Sequence, residues 1–262
     1  MANMTSSVSA SQVAGELASA TFEEIPALLE HYREDPRQQV IKACERALKR
    51  HAKELAERER VNDMYELMHE LGGDGVVVGV DEVGRGSVAG PLTVCAVCLP
   101  MEPRIWGIND SKKLTPARRE LLSVKIAEVA TAIGFCHIAP KEIDEMGMAR
   151  AIRVAVAGAV ADTVLEPDCV LMDGNPLGAV PNERDVVKGD AKIACIAAAS
   201  IMAKVTRDEM MVEYDAEYPE YHLAESKGYA SPEHIEAIRK HGLCPLHRVS
   251  FCGNFLQTER LF

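Results

Sequence analysis

A run of valines between glycines, Gly75-Val-Val-Val-Gly-Val80, ends directly in two acidic residues, Asp81 and Glu82. A short apolar run between turn residues is typical of a buried strand. Adjacent carboxylates at the end of such a strand repel each other and lose hydration, and a divalent metal ion is a common neutralising partner. The glycines of Gly84-Arg-Gly86 leave the backbone bare, so a phosphate or sugar can approach its N–H groups. The stretch therefore predicts a buried strand carrying a metal site that faces a phosphorylated ligand.

Composition sets the class of protein. The chain has 262 residues, 47% of them hydrophobic, which suits one main domain with an appendage. No apolar stretch approaches the roughly 20 residues of a membrane span, and the N-terminus lacks signal-peptide features. We therefore expect no membrane association and a cytoplasmic location. The net charge of −11 disfavours unspecific nucleic-acid binding but allows specific binding through a local basic rim.

The eight cysteines are too sparse for a disulfide scaffold. The one close pair, Cys95-x-x-Cys98, lies in a predicted strand, where residues three apart point to opposite faces. We therefore interpret the two cysteines as small buried hydrophobic residues and not as a zinc or redox site.

The chain has two regions that differ in their pattern of apolar and charged residues. Residues 1–20 are small and polar, and we expect them to be frayed. Helical periodicity follows over residues 21–70, opened by the capping box Thr21-x-x-Glu24 and by Asp35-Pro36. Its alternating charges are typical of a solvated helix face; a nucleic-acid-binding arm is the less favoured alternative. The glycine-rich residues 71–75 mark a boundary. We predict a helical N-terminal extension over residues 1–70 and a catalytic domain, including a C-terminal helical segment, over residues 71–262.

Beyond this boundary, strands and helices alternate. Five strands are predicted, at residues 76–80, 92–99, 133–138, 170–172 and 185–187. The main helices are predicted at residues 116–130, 148–164, 194–212 and 232–239. Short links between the first three strands favour an antiparallel meander, and intervening helices favour parallel addition of the others. The predicted fold class is α/β, with a mixed five-stranded sheet flanked by helices.

Two further acidic residues follow predicted strands. Asp173 ends an apolar strand before Gly174, and Asp190 lies between a short strand and a helix. Taken singly, Asp173 fits a turn and Asp190 fits a helix cap. Together with Asp81 and Glu82 they form an oxygen-ligand set suited to two Mg²⁺ or Mn²⁺ ions. Two such ions support phosphodiester cleavage, so the residues alone predict a metal-dependent phosphoryl-transfer enzyme.

Seven motifs, in one order, resemble the ribonuclease HII family. They are Asp81-Glu-Val-Gly-Arg-Gly86 with Ala89-Gly-Pro91, Asp110-Ser-Lys-Lys-Leu-Thr115, Met172-Asp-Gly174, Lys188-Gly-Asp190, Ala198-Ala-Ser-Ile-Met-Ala-Lys-Val-Thr-Arg-Asp208, Ser226-Lys-Gly-Tyr229 and His247-Arg-Val-Ser-Phe251. The motifs cover about residues 74–251, and their shared order leaves little room for a chance match. The segment around Glu34-Asp-Pro-Arg37 also resembles the N-terminal extension of some bacterial members.

The resemblance implies an RNase H-like fold and endonucleolytic cleavage of the RNA strand in RNA–DNA hybrids. It also implies nicking 5′ of a single ribonucleotide embedded in duplex DNA, leaving a 3′-hydroxyl and a 5′-phosphate. The implied catalytic metal ligands, for two Mn²⁺ or Mg²⁺ ions, are Asp81, Glu82, Asp173 and Asp190. The implied substrate-binding residues are Gly84, Arg85, Gly86, Lys112 and Tyr229.

The roles of the substrate-binding residues also follow from the resemblance. Gly84, Arg85 and Gly86 would read the 2′-hydroxyl, the group that distinguishes RNA from DNA. Tyr229 would stack on the deoxyribose 3′ of the ribonucleotide, although a half-buried structural tyrosine is the alternative from the residue alone. Lys112 would hold a backbone phosphate.

Two rival functions share part of this sequence pattern. A ribonuclease HIII would cleave hybrids without acting on single ribonucleotides, but that type has a strand-rich N-terminal domain, whereas residues 21–70 are predicted helical. A catalytically idle nucleic-acid-binding scaffold is disfavoured because all four acidic residues are present.

Asp208 and four histidines are predicted to lie outside the metal site. Asp208 lies within a predicted helix, where we favour a supporting or salt-bridging role over metal binding. The dispersed histidines His222, His234, His241 and His247 are interpreted as structural or surface residues, since Mg²⁺ sites rich in oxygen need no imidazole.

The chain end, Gln257-Thr-Glu-Arg-Leu-Phe262, loosely resembles tails that dock on a replication sliding clamp. A terminal apolar pair packing on its own domain is the favoured alternative, because short motifs often match falsely. We expect a monomer.

Overall fold

The computed structural model describes residues 8–256, and contacts divide the chain into two compact units between Arg60 and Val61. The helices are α1 (Ala10–Ser19), α2 (Ile25–His31), α3 (Gln38–Gly72), α4 (Pro116–Val129), α5 (Pro140–Met146), α6 (Met148–Asp162), α7 (Ala194–Glu217), α8 (Leu223–Ser226), α9 (Pro232–His241) and α10 (Val249–Cys252). The strands are β1 (Val77–Val83), β2 (Leu92–Cys98), β3 (Ala132–Ile138), β4 (Cys169–Asp173) and β5 (Glu183–Val186). Short 3-10 turns lie at Ser111–Lys113, Gly189–Ala191 and Pro219–Tyr221.

The first unit is helical, as predicted, but it starts earlier than expected. Residues 10–19 form α1 instead of a frayed segment, because Ser9 and Gln12 make a capping box and Val13 and Leu17 are buried. Their apolar partners include Ile25 on α2. A periodic pair of apolar residues is enough to anchor a short helix when a partner surface is available.

The second unit contains the mixed five-stranded sheet, in the order β3-β2-β1-β4-β5. β1 pairs antiparallel with β2, and β2 pairs antiparallel with β3, so the predicted meander is confirmed. β4 pairs parallel with β1, and β5 pairs parallel with β4. The predicted α/β class is therefore also confirmed. Helices α5 and α6 lie between β3 and β4, as expected for the parallel addition of β4, whereas residues 174–182 join β4 to the parallel strand β5 without a helix.

Helices cover both faces of the sheet. On one face the core joins β1, β2 and β4 to α4, α7 and the end of α3. On the other face it joins the same strands to α6. Cys95 belongs to the first core and Cys98 to the second, and both are buried, as their spacing predicts. The first half of α7 is buried all round, which matches its alanine-rich sequence.

The C-terminal part of the chain forms a third core. It packs α9 and the segments around it against the second half of α7, with Met211, Tyr221 and Ile238 at its centre. This core places the residues from Ser226 to Tyr229 beside the segment between β1 and β2, since Val88 and Ala89 both donate backbone hydrogen bonds to the Gly228 carbonyl (2.8 and 3.0 Å).

Within residues 8–256, none of the helices combines the length and apolar character needed to cross a bilayer. The clamp-like tail at residues 257–262 lies outside the described residues.

Candidate active site

The sheet register brings the predicted acidic residues to one edge. Val80 on β1 pairs with Met172 on the parallel strand β4, so Asp81 and Asp173 each follow the same pair. β1 continues to Val83 instead of ending at residue 80, because its pairing with β2 extends that far. Asp81 and Glu82 therefore lie within the strand, where the sheet fixes their backbone.

Asp190 reaches the same edge by a different route. After β5 the chain turns through Lys188, which has a left-handed backbone (φ 59°), into the 3-10 turn at Gly189–Ala191. The Gly189 N–H donates a hydrogen bond of 2.7 Å to Asp173 Oδ1. This bond ties the turn carrying Asp190 to the end of β4. Three sequence-distant segments thus present acidic side chains together.

Asp81 is the most strongly perturbed carboxyl of the site. The pKa of Asp81 is raised to about 8, mainly by burial and then by repulsion from the nearby Glu82 and Asp173. A hydrogen bond with Ser200 and one from the Glu82 N–H (2.8 Å) act in the opposite direction. Ser200 on α7 is itself hydrogen-bonded to Ser111 (2.9 Å between the two Oγ atoms). The serine pair therefore orients this carboxyl from the side of α7.

Glu82 and Asp190 are subject to the same effects of burial and repulsion. Burial raises the pKa of Glu82 and of Asp190, and Asp173 adds repulsion to both. Arg85 offsets part of the effect on Glu82, with 3.6 Å between Nη1 and Oε1. Like charges held together in a buried site favour protonation unless a cation is close.

Lys112 faces the same group of acidic residues. Partial burial acts to lower the pKa of Lys112, but four carboxylates outweigh it and the pKa is raised. Those carboxylates are Asp81, Asp110, Asp190 and Asp173. Its backbone position is set by the 3-10 turn at Ser111–Lys113, which Asp110 caps by accepting a bond from the Lys112 N–H (2.9 Å). A side chain so placed can hold a phosphate next to the carboxylates.

The donor chemistry of the site suits hard divalent cations. Among residues 8–256, no three His, Cys, Asp or Glu side chains form a ready-made metal cage. The four carboxylates nevertheless lie on adjoining segments, and the raised pKa values of Asp81, Glu82 and Asp190 reflect a negative potential that a cation would relieve. Carboxylate oxygens are the ligands that Mg²⁺ and Mn²⁺ prefer. The residues therefore fit such ions.

The Gly84–Gly86 loop leaves the site directly from β1. Gly84 has φ +84° and is in close contact with Arg207, since an added Cβ would lie 2.4 Å from Arg207 Nε. Gly86 is different, because a Cβ there would meet no atom within 4 Å. Arg85 is exposed. Gly84 is therefore required by the fold, whereas Gly86 leaves open backbone facing solvent.

Two buried arginines that the sequence reasoning did not single out hold this loop. Arg207 on α7 donates to four oxygens: Pro91 O (2.8 Å), Lys227 O (2.8 Å), Ser87 Oγ (2.9 Å) and Ala89 O (3.0 Å). Arg248 donates to Gly90 O from Nε (3.1 Å) and Nη2 (2.9 Å), and to Arg85 O from Nη1 (3.3 Å). Both arginines lie within motifs that resemble ribonuclease HII, and those motifs are the sequence signal that could have identified them. Their planar donor forks match clustered carbonyls in a way that lysine cannot.

Tyr229 directly follows Gly228, whose carbonyl accepts hydrogen bonds from Val88 and Ala89 in the segment after this loop. Its side chain is 40% exposed, and the Arg207 guanidinium carbon is 5.8 Å from the centre of its ring. The accessible ring, backed by a buried cation, is available for stacking. The packing therefore does not require Tyr229 to be a half-buried structural tyrosine, which was the alternative from the sequence.

Asp208 and the four dispersed histidines were predicted to be structural or surface residues. Asp208 forms an ion pair with Lys204 (2.6 Å), as expected for a salt-bridging residue. His222 and His241 are exposed, whereas His234 and His247 are buried. The buried pair is hydrogen-bonded, with 3.1 Å between the two Nε2 atoms. Their isolated positions in the sequence gave no sign of this contact.

A mixed sheet of this order, with carboxylates at one edge and helices on both faces, defines an RNase H-like nuclease class. The chain matches the ribonuclease HII N-terminal domain over residues 9–71 and ribonuclease HII over residues 78–254. The chain belongs to the ribonuclease HII family, and this membership implies RNase H activity on RNA–DNA hybrids.

Individual relatives agree with this assignment. The chain is 44% identical over 204 residues to ribonuclease HII of Ruminiclostridium cellulolyticum, covering 77% of this chain and 80% of that one. It is 41% identical over 244 residues to ribonuclease HII of Geobacillus thermodenitrificans, covering 88% and 94%. Among solved structures, ribonuclease H2 from Pyrococcus horikoshii superposes with a TM-score of 0.59 at 27% identity, covering 70% of this chain and 99% of that one. The match to ribonuclease HII along both units disfavours the ribonuclease HIII alternative.

Proposed function

We propose that the chain hydrolyses the RNA strand of RNA–DNA hybrids and nicks duplex DNA 5′ of a single embedded ribonucleotide. The observation that carries the proposal is the convergence of Asp81, Glu82, Asp173 and Asp190 at one sheet edge, next to the Gly84–Gly86 loop. The products would be a 3′-hydroxyl and a 5′-phosphate. Cytoplasmic action as a monomer remains a prediction.

Asp81, Glu82, Asp173 and Asp190 would hold two Mn²⁺ or Mg²⁺ ions. When bound, such ions activate a water molecule and stabilise the leaving oxygen of phosphodiester cleavage. The protein contributes fixed geometry: the Ser200 hydroxyl orients Asp81, and the Gly189 N–H orients Asp173. Lys112 would bind a substrate phosphate beside the carboxylates, and its raised pKa keeps it charged at neutral pH.

Recognition of the ribonucleotide would fall to the Gly84–Gly86 loop and Tyr229. Backbone atoms left open at Gly86 can approach a 2′-hydroxyl in a shallow minor groove. The exposed Tyr229 ring would stack on the next deoxyribose, which favours an RNA–DNA junction. These two contacts would together distinguish an embedded ribonucleotide from plain DNA.

The test uses three duplexes of one sequence: DNA only, DNA with one ribonucleotide, and an RNA–DNA hybrid, each with Mn²⁺ or Mg²⁺. We expect a nick 5′ of the single ribonucleotide, cleavage of the hybrid RNA, and no cleavage of plain DNA. Extension of the nick by a DNA polymerase would verify the 3′-hydroxyl. Cleavage of the hybrid alone would contradict the proposed action on single ribonucleotides.

For Gln257–Phe262, packing on its own domain is favoured over a clamp contact. Calorimetry of sliding-clamp binding, with and without residues 254–262, tests the clamp contact; equal affinities would contradict it.

A further inference from the structure

A chain of hydrogen bonds runs through the buried histidine pair to the backbone of Tyr229. The Cys244 N–H lies 3.0 Å from His247 Nδ1, His247 Nε2 lies 3.1 Å from His234 Nε2, and His234 Nδ1 lies 2.9 Å from the Tyr229 carbonyl oxygen. His234 and His247 are 0% and 3% exposed. Water therefore does not compete for these bonds.

The chemistry of the two ends fixes where each proton lies. A backbone N–H can only donate, so His247 Nδ1 must accept from Cys244, and the ring proton of neutral His247 is on Nε2. That proton is then donated to His234 Nε2. His234 must carry its own proton on Nδ1, which it donates to the Tyr229 carbonyl. Burial lowers the pKa of both histidines, which keeps both rings neutral at pH 7.

The same histidine pair is joined to the segment that follows the Gly84–Gly86 loop. The backbone of His247 forms an antiparallel bridge with Ala89. The next residue, Arg248, donates from its N–H to the Val88 carbonyl (2.8 Å). The backbone of His247 is thus attached to the segment directly after one recognition element, and the neighbouring Arg248 side chain donates to Arg85 O within that loop. The His247 ring, through His234, holds the backbone of the other recognition element, Tyr229.

We propose that His234 and His247 are positioning residues that couple Tyr229 to the Gly84–Gly86 loop and so set the preference for RNA–DNA junctions. The inference rests on the proposed function, because it assigns recognition to these two elements. A fixed spacing between them allows 2′-hydroxyl contact and stacking on the following deoxyribose to occur together. A continuous hybrid offers no deoxyribose at the stacking position of the cleaved strand, so it gains less from this spacing.

The first test is spectroscopic and requires no substrate. In wild-type protein labelled with ¹⁵N-histidine, NMR at pH 7 should show His234 as the neutral Nδ1–H form and His247 as the neutral Nε2–H form, assigned with single His→Gln variants. A protonated ring, or His234 as the Nε2–H form, would overturn the hydrogen-bond chain.

The second test compares kcat/KM for a duplex with one ribonucleotide to kcat/KM for a continuous hybrid. His234→Gln should lower this ratio by about tenfold, with hybrid cleavage changed by less than about twofold. The exposed His241 on the same helix provides the matched control, and His241→Gln should leave the ratio unchanged. An unchanged ratio in folded His234→Gln would overturn the proposal.

A double variant tests the route of the effect. Once Tyr229→Ala has removed the ring, adding His234→Gln should lower the ratio no further. A second, multiplying decrease would contradict action through Tyr229. If wild-type protein does not nick the single-ribonucleotide duplex, the proposed function fails, and the NMR measurement still decides whether the hydrogen-bond chain exists.

Discussion

A buried carboxyl is stable either in its protonated form or beside a cation, and Asp81 is the residue where this conflict is sharpest. Burial raises its pKa to about 8, so the metal-free side chain is largely protonated at pH 7. A neutral amide of the same shape should therefore cost little stability there. The negative form of Asp81 is needed for metal binding and not for folding.

Asp81→Asn should accordingly reduce cleavage by about a thousandfold or more while the melting temperature stays the same or rises. Asparagine removes the cost of burying or protonating this carboxyl, and this gives the direction of the stability change. Asp185→Asn is a matched control, because burial also raises the pKa of Asp185 but it lies outside the site residues. Its activity should stay within about twofold of wild type. Retained cleavage in Asp81→Asn would remove Asp81 from the metal site.

Two glycines of the loop should respond differently to alanine. Gly84→Ala should lower the free energy of unfolding by about 1–3 kcal/mol, because φ is +84° and the new Cβ would lie 2.4 Å from Arg207 Nε. Gly86→Ala should leave stability within about 0.5 kcal/mol, since no atom lies within 4 Å. We expect it to lose cleavage instead, by blocking the sugar. Urea unfolding and the nicking assay measure both effects; full activity in Gly86→Ala would exclude a close backbone contact there.

At the scale of elements, the segment from the 3-10 turn at Pro219–Tyr221 to α10 is joined by side-chain contacts between short elements. The rings of Tyr221, His234 and His247 pack together there. Asp144 on α5 accepts hydrogen bonds from the Val249 and Ser250 N–H groups, which caps α10 from another element. Polar contacts of this kind depend on protonation state.

This element should therefore be sensitive to acid. Burial lowers the pKa of His247 to about 4, whereas an unfolded histidine titrates near 6.5. The unfolded state binds the proton first, so the contribution of neutral His247 is complete above pH 6.5 and is lost as pH falls towards 4. The difference amounts to about 3 kcal/mol. Urea unfolding at pH 7 and pH 4.5 should show a smaller decrease in His247→Gln than in wild type; equal decreases would contradict a neutral buried His247.

At the scale of the whole molecule, the long helix α3 contributes buried residues to two hydrophobic cores. In the first part of α3, Val40, Ala43 and Ala47 belong to the core of the first unit. Near its end, four residues belong to the core between the sheet and helices α4 and α7: Val61, Met64, Tyr65 and Met68. The Tyr65 hydroxyl also accepts a hydrogen bond from the Ile105 N–H (3.1 Å). The end of α3 is thus part of the sheet domain in packing.

Two truncations test this division. A fragment of residues 61–262 should melt well above one of residues 73–262, because the shorter fragment loses four buried side chains of α3. Each such side chain contributes about 1.5–3 kcal/mol, so the loss is several kcal/mol. Equal melting temperatures would show that the end of α3 adds little to the sheet domain. Comparing the nicking activity of residues 61–262 with that of the full chain would separately measure what the first unit contributes.

Much of the fold followed from local patterns. The valine run and the alternation after residue 75 predicted the five strands, because short apolar runs between turn residues mark strands in a sequence. The predicted directions also match, although no helix joins β4 to the parallel strand β5. The capping residue Thr115 and Pro116 predicted the start of α4. The small polar N-terminus misled, since the short helix α1 depends on apolar contacts with residues further along the chain.

The sequence by itself therefore determined the succession of strands and helices along the chain, the acidic residues that follow the apolar runs of strands, and the family. Only the tertiary structure decided how these residues meet. Register placed Asp81 beside Asp173, and the left-handed turn at Lys188 returned Asp190 to them. Arg207 and the histidine pair joined the backbone around Tyr229 to the segment that follows the loop. Such contacts join residues far apart in sequence, and their energy comes from burial and fixed donor geometry that no local pattern records.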